Sequence, residues 1–187
     1  MIEEIDRWLT EKVAQYKARS LYLPAGQTVC ELYAHWCTQP HPSLQKLELY
    51  QVDEIIEGHL FDRFGLFFEQ ELPGFKVHPP TIDVQADLAI LGLGRNGHVA
   101  FHEPGIRETF RFGAVTLTDE TTRYLGVPVG TRAVTFGLGA FLKTKAVLLL
   151  VSGEGKKEAY ERFLARDPAL PATALYKHPD FRFFVDL

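Results

Sequence analysis

Apolar positions along this chain alternate between two periods. Between residues 2 and 17, Ile2, Ile5, Leu9, Val13 and Tyr16 recur at the spacing that gives a helix one buried face. SLYLP (20–24) is a short apolar run that passes through AGQT into VCELYAHW (29–36), so a strand, a turn and a helix are expected in succession. LELYQV (47–52) predicts a second strand, with Asp53 and Glu54 at its C-terminal end. HLFDRFGLFFEQEL (59–72) sets Leu60, Phe61, Phe64, Phe67 and Phe68 at helical spacing, with Gly65 as its weak point. ELPGFKVHPPTIDV is punctuated by proline and reads as a loop.

DLAILGLG (87–94) is almost continuously apolar, the pattern of a strand covered on both faces of a parallel sheet. AVTLT (114–118) and RAVTFGLG (132–139) predict strands, and KAVLLLVSG (145–153) predicts a further buried one. GKKEAYERFLA (155–165) is a helix, and RFFVD (182–186) is a closing strand. Alternation of strand and helix predicts an α/β fold with helices on both faces of the sheet. With no repeat, low-complexity tract or linker, residues 1–187 read as one domain. In such sheets ligands sit beyond the carboxyl ends of the strands. AGQT, the Asp53–Glu54 pair, GLGRNGH and SGEGKK all follow strands, so they are expected to converge on one cleft.

Composition narrows the function classes. The 187 residues are 46% hydrophobic and 24% charged, within the range of water-exposed globular domains. A net charge of −4 leaves no basic footprint, so no nucleic-acid partner is expected. The longest apolar run, AVLLLV (146–151), is too short for a bilayer, and MIEEIDRW lacks a signal-type segment. A cytoplasmic protein with no membrane partner is the expectation. Cys30 and Cys37 fall two turns apart on one predicted helix, with Cα atoms roughly 10 Å apart, beyond disulfide reach. They read as buried structural thiols, and no Cys/His spacing suggests a metal site.

The chemistry concentrates in LGLGRNGHVAFHEPG (91–105). Gly92, Gly94 and Gly97 have the G-x-G-x-x-G spacing of a dinucleotide loop, but that motif must open a helix, and Pro104 and Gly105 break one. No acidic residue stands on a second strand about twenty residues on, as that reading also needs. As a catalytic loop, the glycines admit a ligand close to the backbone, His98 moves protons between oxygens, and Glu103 fixes its tautomer. The bland alternative is a core histidine that is merely hydrogen-bonded. AGQT offers helix N-terminal N–H groups and the Thr28 hydroxyl to an anion, and serves equally as an ordinary N-cap. Lys156 can meet a phosphate as a point charge, or be a solvated lysine. A carboxylate such as Asp53 at a cleft mouth is a natural base for a carbon acid, or a strand-end solubiliser.

GLGRNGHVAFHEPG resembles the signature G-x-G-x-N/D-G-H-I/V-G/A-F-N-E-P of the glucosamine-6-phosphate deaminases. LPAGQT is similar to that family's strand and TGST or TGGT phosphate loop, YQVDEI to its N-M-D-E-Y, and LTDETTR to its D-E-S-T-R. LLLVSGEGKKEA and LPATALYKHPDFRFFVD resemble its S-G-x-x-K and P-A-S-x-L-x-x-H-P blocks, in order, so the likeness spans nearly the whole chain. The related 6-phosphogluconolactonases carry G-x-G-x-D-G-H-T-A-S-L-F-P, which departs after the histidine. The resemblance implies a Rossmann-like three-layer α/β/α sandwich with a mostly parallel sheet, no metal or organic cofactor, and an amino-sugar 6-phosphate substrate. It implies that His98, supported by Glu103 and Asn96, opens the sugar ring, while Asp53 carries the C2 proton to C1 and ammonia leaves. Ala25, Gly26, Gln27 and Thr28, with Gly94 and Lys156, would hold the phosphate.

Several positions depart from the family pattern. Gln27 replaces a small residue of the phosphate loop, and His102 replaces the asparagine before the glutamate. The stretch from Asp53 to Asp87 is short, and the lid with its N-A/S-R-F-F arginine is missing after TTR (121–123). Arg123 is the expected stand-in for that arginine. RFFVDL closes the chain without the extension of allosteric members, so a monomer or small homo-oligomer without allosteric control is expected. Two other readings stay open: lactone hydrolysis with His98 activating water, and sugar-phosphate binding without turnover.

Overall fold

The computed structural model describes residues 1–58 and 61–187. The first half of the chain forms α1 (Ile2–Tyr16), β1 (Ser20–Leu23), α2 (Cys30–Thr38), β2 (Glu48–Gln51), β3 (Asp53–Ile55), α3 (Arg63–Glu71), β4 (Val77–His78) and β5 (Leu88–Gly92). The second half forms β6 (Phe112–Thr116), α4 (Asp119–Leu125), β7 (Arg132–Phe136), the single turn α5 (Leu138–Phe141), β8 (Ala146–Ser152), α6 (Lys157–Leu164) and β9 (Phe181–Asp186).

The main sheet has the order β4-β2-β1-β5-β8-β9, and every neighbouring pair in it is parallel. Successive strand side chains point to opposite faces, so each central strand feeds two cores. Leu21, Leu23, Leu88, Ile90, Leu148 and Leu150 meet α1, α2 and α3 on one face. Tyr22, Ala89, Leu91, Val147, Leu149 and Val151 meet α5, α6 and the 171–177 segment on the other. The helix expected over residues 2–17 buries Ile5 and Leu9 of its periodic stripe, with Trp8 between them, and stops where Lys17 turns left-handed at φ 49°. The result is a Rossmann-like three-layer α/β/α sandwich. No helix among the described residues is long and apolar enough to cross a membrane.

Strand order reverses between β1 and β5: the chain winds outward through β2 and β4 on one side, and through β8 and β9 on the other. The loops leaving β1 and β5 at their carboxyl ends therefore diverge and leave a crevice between them.

Five expectations need correction. The strands read at 114–118 and 132–139 do not join the main sheet; β6 and β7 form a separate antiparallel sheet of order β3-β7-β6. Periodicity reports burial, not which sheet a strand joins. Asp53 and Glu54 open β3 in that second sheet rather than ending β2. Val52 makes the transfer, donating its N–H to the Leu23 carbonyl in the first sheet while its own carbonyl accepts the Phe136 N–H in the second. The helix expected over 59–72 spans Arg63–Glu71, with Phe61 outside it and 63% exposed, and Leu60 lies outside the described residues. The proline-rich loop contains the edge strand β4, which Pro79 and Pro80 cut short. Cys30 and Cys37 are free thiols, half-buried rather than buried, and burial pushes both thiols up from their ordinary pKa.

Candidate active site

One cleft opens at the strand reversal. Pro24 to Thr28, Asp53, Gly92 to Gly94, His98 and Lys156 line it, so side chains or backbone from all four expected strand ends meet there. Phe64, Phe101, Thr121, Tyr124 and Leu125 complete its walls.

The β1 loop turns at Gly26, whose φ of 107° belongs to glycine, and runs through a 3₁₀ turn at Gln27–Val29 into α2. The Val29 N–H donates to the Gly26 carbonyl, while the N–H groups that open such a helical run have no carbonyl one turn back and are available to an anion. Lys156 closes a second 3₁₀ turn, Glu154–Lys156, after β8. Burial, and then the charge of Arg95, lowers Lys156 to about 8.

The β5 loop is folded around its histidine. The Gly94 N–H donates to the His98 carbonyl at 2.8 Å, and the Gly97 N–H donates to the Gly94 carbonyl at 3.0 Å. A Cβ on Gly94 would overlap the imidazole, so the ring lies flat against a bare backbone. Ala100 follows at φ 50°, a left-handed conformation costing about 1 kcal/mol or more in a residue with a Cβ.

Asn96 and Glu103 stand behind His98, outside the cleft lining. Glu103 is 1% exposed, and its Oε2 lies 3.5 Å from His98 Nδ1. That oxygen accepts the Asn96 amide at 2.8 Å and the Thr118 hydroxyl at 3.2 Å. Asn96 also accepts the His98 N–H at 3.2 Å through Oδ1, so one side chain holds both the glutamate and the loop. Burial disfavours the charge on Glu103, yet the hydrogen bond and charge of His98, with Thr121 and Asn96, outweigh it and hold the carboxyl down at about 2. A fixed carboxylate beside Nδ1 favours the proton on that nitrogen and leaves Nε2, which has no partner among the described residues, to accept from a ligand.

Asp53 is different. It is 7% exposed, and among the described residues its carboxyl accepts no hydrogen bond. Burial, with the charges of Glu54 and Glu103, raises it well above the usual carboxylate range. A poorly solvated carboxyl in a cleft is a stronger base than a hydrated one. Glu54, its neighbour, faces away and accepts backbone N–H groups from Ile55, Phe64 and Gly65.

Arg123 is exposed on α4 and is not brought to the cleft; Tyr124, one residue on, takes that position. His102 is buried, accepts the Leu138 N–H at 3.2 Å through Nδ1, and lines no part of the cleft. Burial lowers it to about 4, which keeps it neutral. Sequence reasoning missed Thr118 and Thr121, which tie α4 to the His98–Glu103 pair. Thr118 is the N-cap of α4, and its Thr-Asp-Glu-Thr context is a helix-start signal that marks the cap, though not the second bond. No group of three or more metal-ligating side chains is gathered among the described residues.

The family described as glucosamine-6-phosphate isomerases/6-phosphogluconolactonase matches residues 68–183. The chain is 31% identical to a glucosamine-6-phosphate deaminase of Rhodopirellula baltica over 96% of its own length and 86% of the relative's. Among solved structures, a monomeric glucosamine-6-phosphate deaminase superposes with a TM-score of 0.80 at 24% identity, over 99% of this chain and 92% of the other. A 6-phosphogluconolactonase from Thermotoga maritima superposes with a TM-score of 0.69 at 22% identity, over 100% and 93% of the two chains. At those identities the two structures are likenesses of fold alone.

Proposed function

The chain belongs to the enzyme family of glucosamine-6-phosphate isomerases and 6-phosphogluconolactonases, and from that premise we propose that it converts glucosamine 6-phosphate to fructose 6-phosphate and ammonia. The observation that carries this reading is Asp53: a buried carboxyl without a hydrogen-bond partner among the described residues, in the same cleft as His98. Lactone hydrolysis needs an activated water and no carbon-bound proton transfer, so it leaves Asp53 without a task. Aldose–ketose isomerisation needs both groups.

In the proposed reaction His98 Nε2 accepts the proton of the anomeric hydroxyl and returns it to the ring oxygen, opening the ring. Glu103 stabilises the transient imidazolium, and Asn96 holds Glu103. Asp53 then takes the proton from C2 while the substrate's own ammonium gives a proton to O1, forming an enediol-type intermediate with nitrogen at C2, and Asp53 delivers its proton to C1. Water adds to the resulting imine, and ammonia leaves. Ala25, Gly26, Gln27 and Thr28 hold the phosphate, with Lys156 opposite and Gly94 admitting the sugar close to the backbone. We place this activity on the chain as one sugar-phosphate domain working in the cytoplasm, as a monomer or small homo-oligomer and without a cofactor.

The test is ammonia and ketose release from glucosamine 6-phosphate by purified, folded protein, with Asp53→Asn and His98→Ala alongside. Activity lost in both variants supports the reading. Hydrolysis of 6-phosphogluconolactone that survives Asp53→Asn, with no ammonia from the amino sugar, assigns the chain to the lactonase branch instead.

A further inference from the structure

Arg95 is the residue of GLGRNGH that the proton-transfer chemistry leaves without a task. Its guanidinium lies 4.8 Å from the centroid of the Tyr124 ring, and Lys156 Nζ lies 5.9 Å from the same centroid. Two cations thus lie within 6 Å of one aromatic ring at the cleft edge. Among the described residues neither forms an ion pair. Arg95, Tyr124 and Lys156 line one small recess with Asn96, His98 and Glu120, next to the cleft that Lys156 shares with the Gly26–Thr28 turn.

The chain accommodates the guanidinium where it lies. A Cβ on Gly155 would come within 3.1 Å of Arg95 Nη2 and 3.3 Å of its Cζ, so the bare backbone there leaves the slot open. The repulsion between the two cations is felt by Lys156, whose pKa the charge of Arg95 helps to lower. Glu120 lines the same recess but pairs with neither cation among the described residues; like charges left unpaired so close are unfavourable, and an anion bound by both removes the cost. A guanidinium fork beside an ammonium matches the several oxygens of a phosphate better than a lone lysine does.

We propose that Arg95 is a substrate-binding residue, the bidentate arm of a phosphate clamp completed by Lys156 and the Gly26–Thr28 turn, with Tyr124 holding the guanidinium in position. The anion specificity follows from the cations themselves; the identity of the attached sugar rests on the function proposed above. Arg95 thereby fills the place for which Arg123, exposed and outside the cleft, was expected.

The experiment is calorimetric titration of the full chain with inorganic phosphate across pH, beside steady-state kinetics with glucosamine 6-phosphate. Arg95→Gln should weaken phosphate binding about tenfold and raise KM by a similar factor, with kcat little changed. The alkaline fall in phosphate affinity should move to higher pH, because Lys156 loses its repelling neighbour. Lys157→Gln, the same charge change at an exposed position, should leave phosphate affinity as it is. Arg95→Lys, which keeps the charge and loses the guanidinium fork, should weaken phosphate binding by a smaller factor, and it decides the matter if Arg95→Gln does not fold. Phosphate affinity in Arg95→Gln or Arg95→Lys equal to the parent's overturns the proposal, as does a parent chain that binds no phosphate. Arg95-dependent phosphate binding without ammonia release supports the clamp and removes the deaminase reading. Ammonia release with phosphate affinity indifferent to Arg95 does the reverse.

Discussion

Asp53 and Glu54 are consecutive residues of β3, and their carboxyl groups face opposite ways into opposite surroundings. Asp53 borders the cleft with no hydrogen bond to its carboxyl among the described residues. Glu54 accepts N–H groups from Ile55 at 2.8 Å, Phe64 at 3.0 Å and Gly65 at 2.7 Å, and the Gln51 amide at 3.0 Å, capping α3 from a neighbouring strand.

Substitutions at the two sites should therefore separate chemistry from stability. Asp53→Asn keeps the fold and loses the base, so kcat should fall by roughly 10² to 10⁴, as does solvent exchange of the C2 proton. Glu54→Gln replaces an acceptor by an amide that opposes N–H groups with its own. It should destabilise by about 2 kcal/mol, lowering Tm by roughly 4–8 °C, while the remaining folded protein turns over normally. Thermal denaturation and single-turnover assays on both variants check this; equal loss of stability in both would contradict the division.

Thr118 links the α4 wall of the cleft to the His98–Glu103 pair. Its hydroxyl accepts the Thr121 N–H at the start of α4 and donates to Glu103 Oε2. Thr118→Val keeps the shape and deletes both bonds. The lost cap should cost about 1 kcal/mol, and Glu103 should hold His98 less firmly. A several-fold fall in kcat at unchanged KM, restored by Thr118→Ser, is the expected result; a change confined to Tm would leave Thr118 as a cap only.

The meeting of strand ends was legible because a parallel sheet has one functional edge and the loops that leave it are identifiable by Gly and Thr. The second sheet was not: Val134 and Thr135 alternate in burial as any strand does, and the residue that changes sheets, Val52, carries no local mark. Glu54 looked like a second carboxylate of the site because pairing across 10 residues to Phe64 is a tertiary fact. Arg123 and Tyr124 show the sharpest limit. One step along a helix turns a side chain by about 100°, so choosing which of two neighbours faces the cleft needs the helix phase, and the phase is set by packing.

His102 gives a pH dependence of stability with a definite sign. Its folded pKa, lowered by burial to about 4 from 6.5, means that the unfolded chain takes up a proton first as pH falls. Stability should decline from pH 6.5 to 4 by about 3 kcal/mol from this group, and level off below. Glu103 acts lower: its contribution is present above the ordinary carboxylate pKa of 4.5 and is lost as pH falls toward 2. His102→Asn keeps an acceptor for the Leu138 N–H and cannot charge, so denaturant midpoints should lose the slope between pH 6.5 and 4 and retain the lower one. An unaltered slope would place the acid sensitivity elsewhere.

The three glycines of G-x-G-x-x-G should respond differently to alanine, because only two of them are sterically required. A methyl on Gly92 would first meet the Thr28 hydroxyl at 3.9 Å, an ordinary contact, so Gly92→Ala should be the mildest of the three. Gly97 has φ of 81°, and a Cβ there would overlap Leu170, so Gly97→Ala should act on stability, at roughly 1–3 kcal/mol. At Gly94 the φ is not in the glycine-only region, and the obstacle is the His98 ring itself. Gly94→Ala should leave Tm nearly unchanged while pushing the imidazole away from Glu103 and out of reach of a sugar hydroxyl, with kcat down by about a hundredfold. A nucleotide loop would need small residues at all three positions to admit a pyrophosphate. Full activity in Gly94→Ala would mean that the ring does not work from the position it occupies against that backbone.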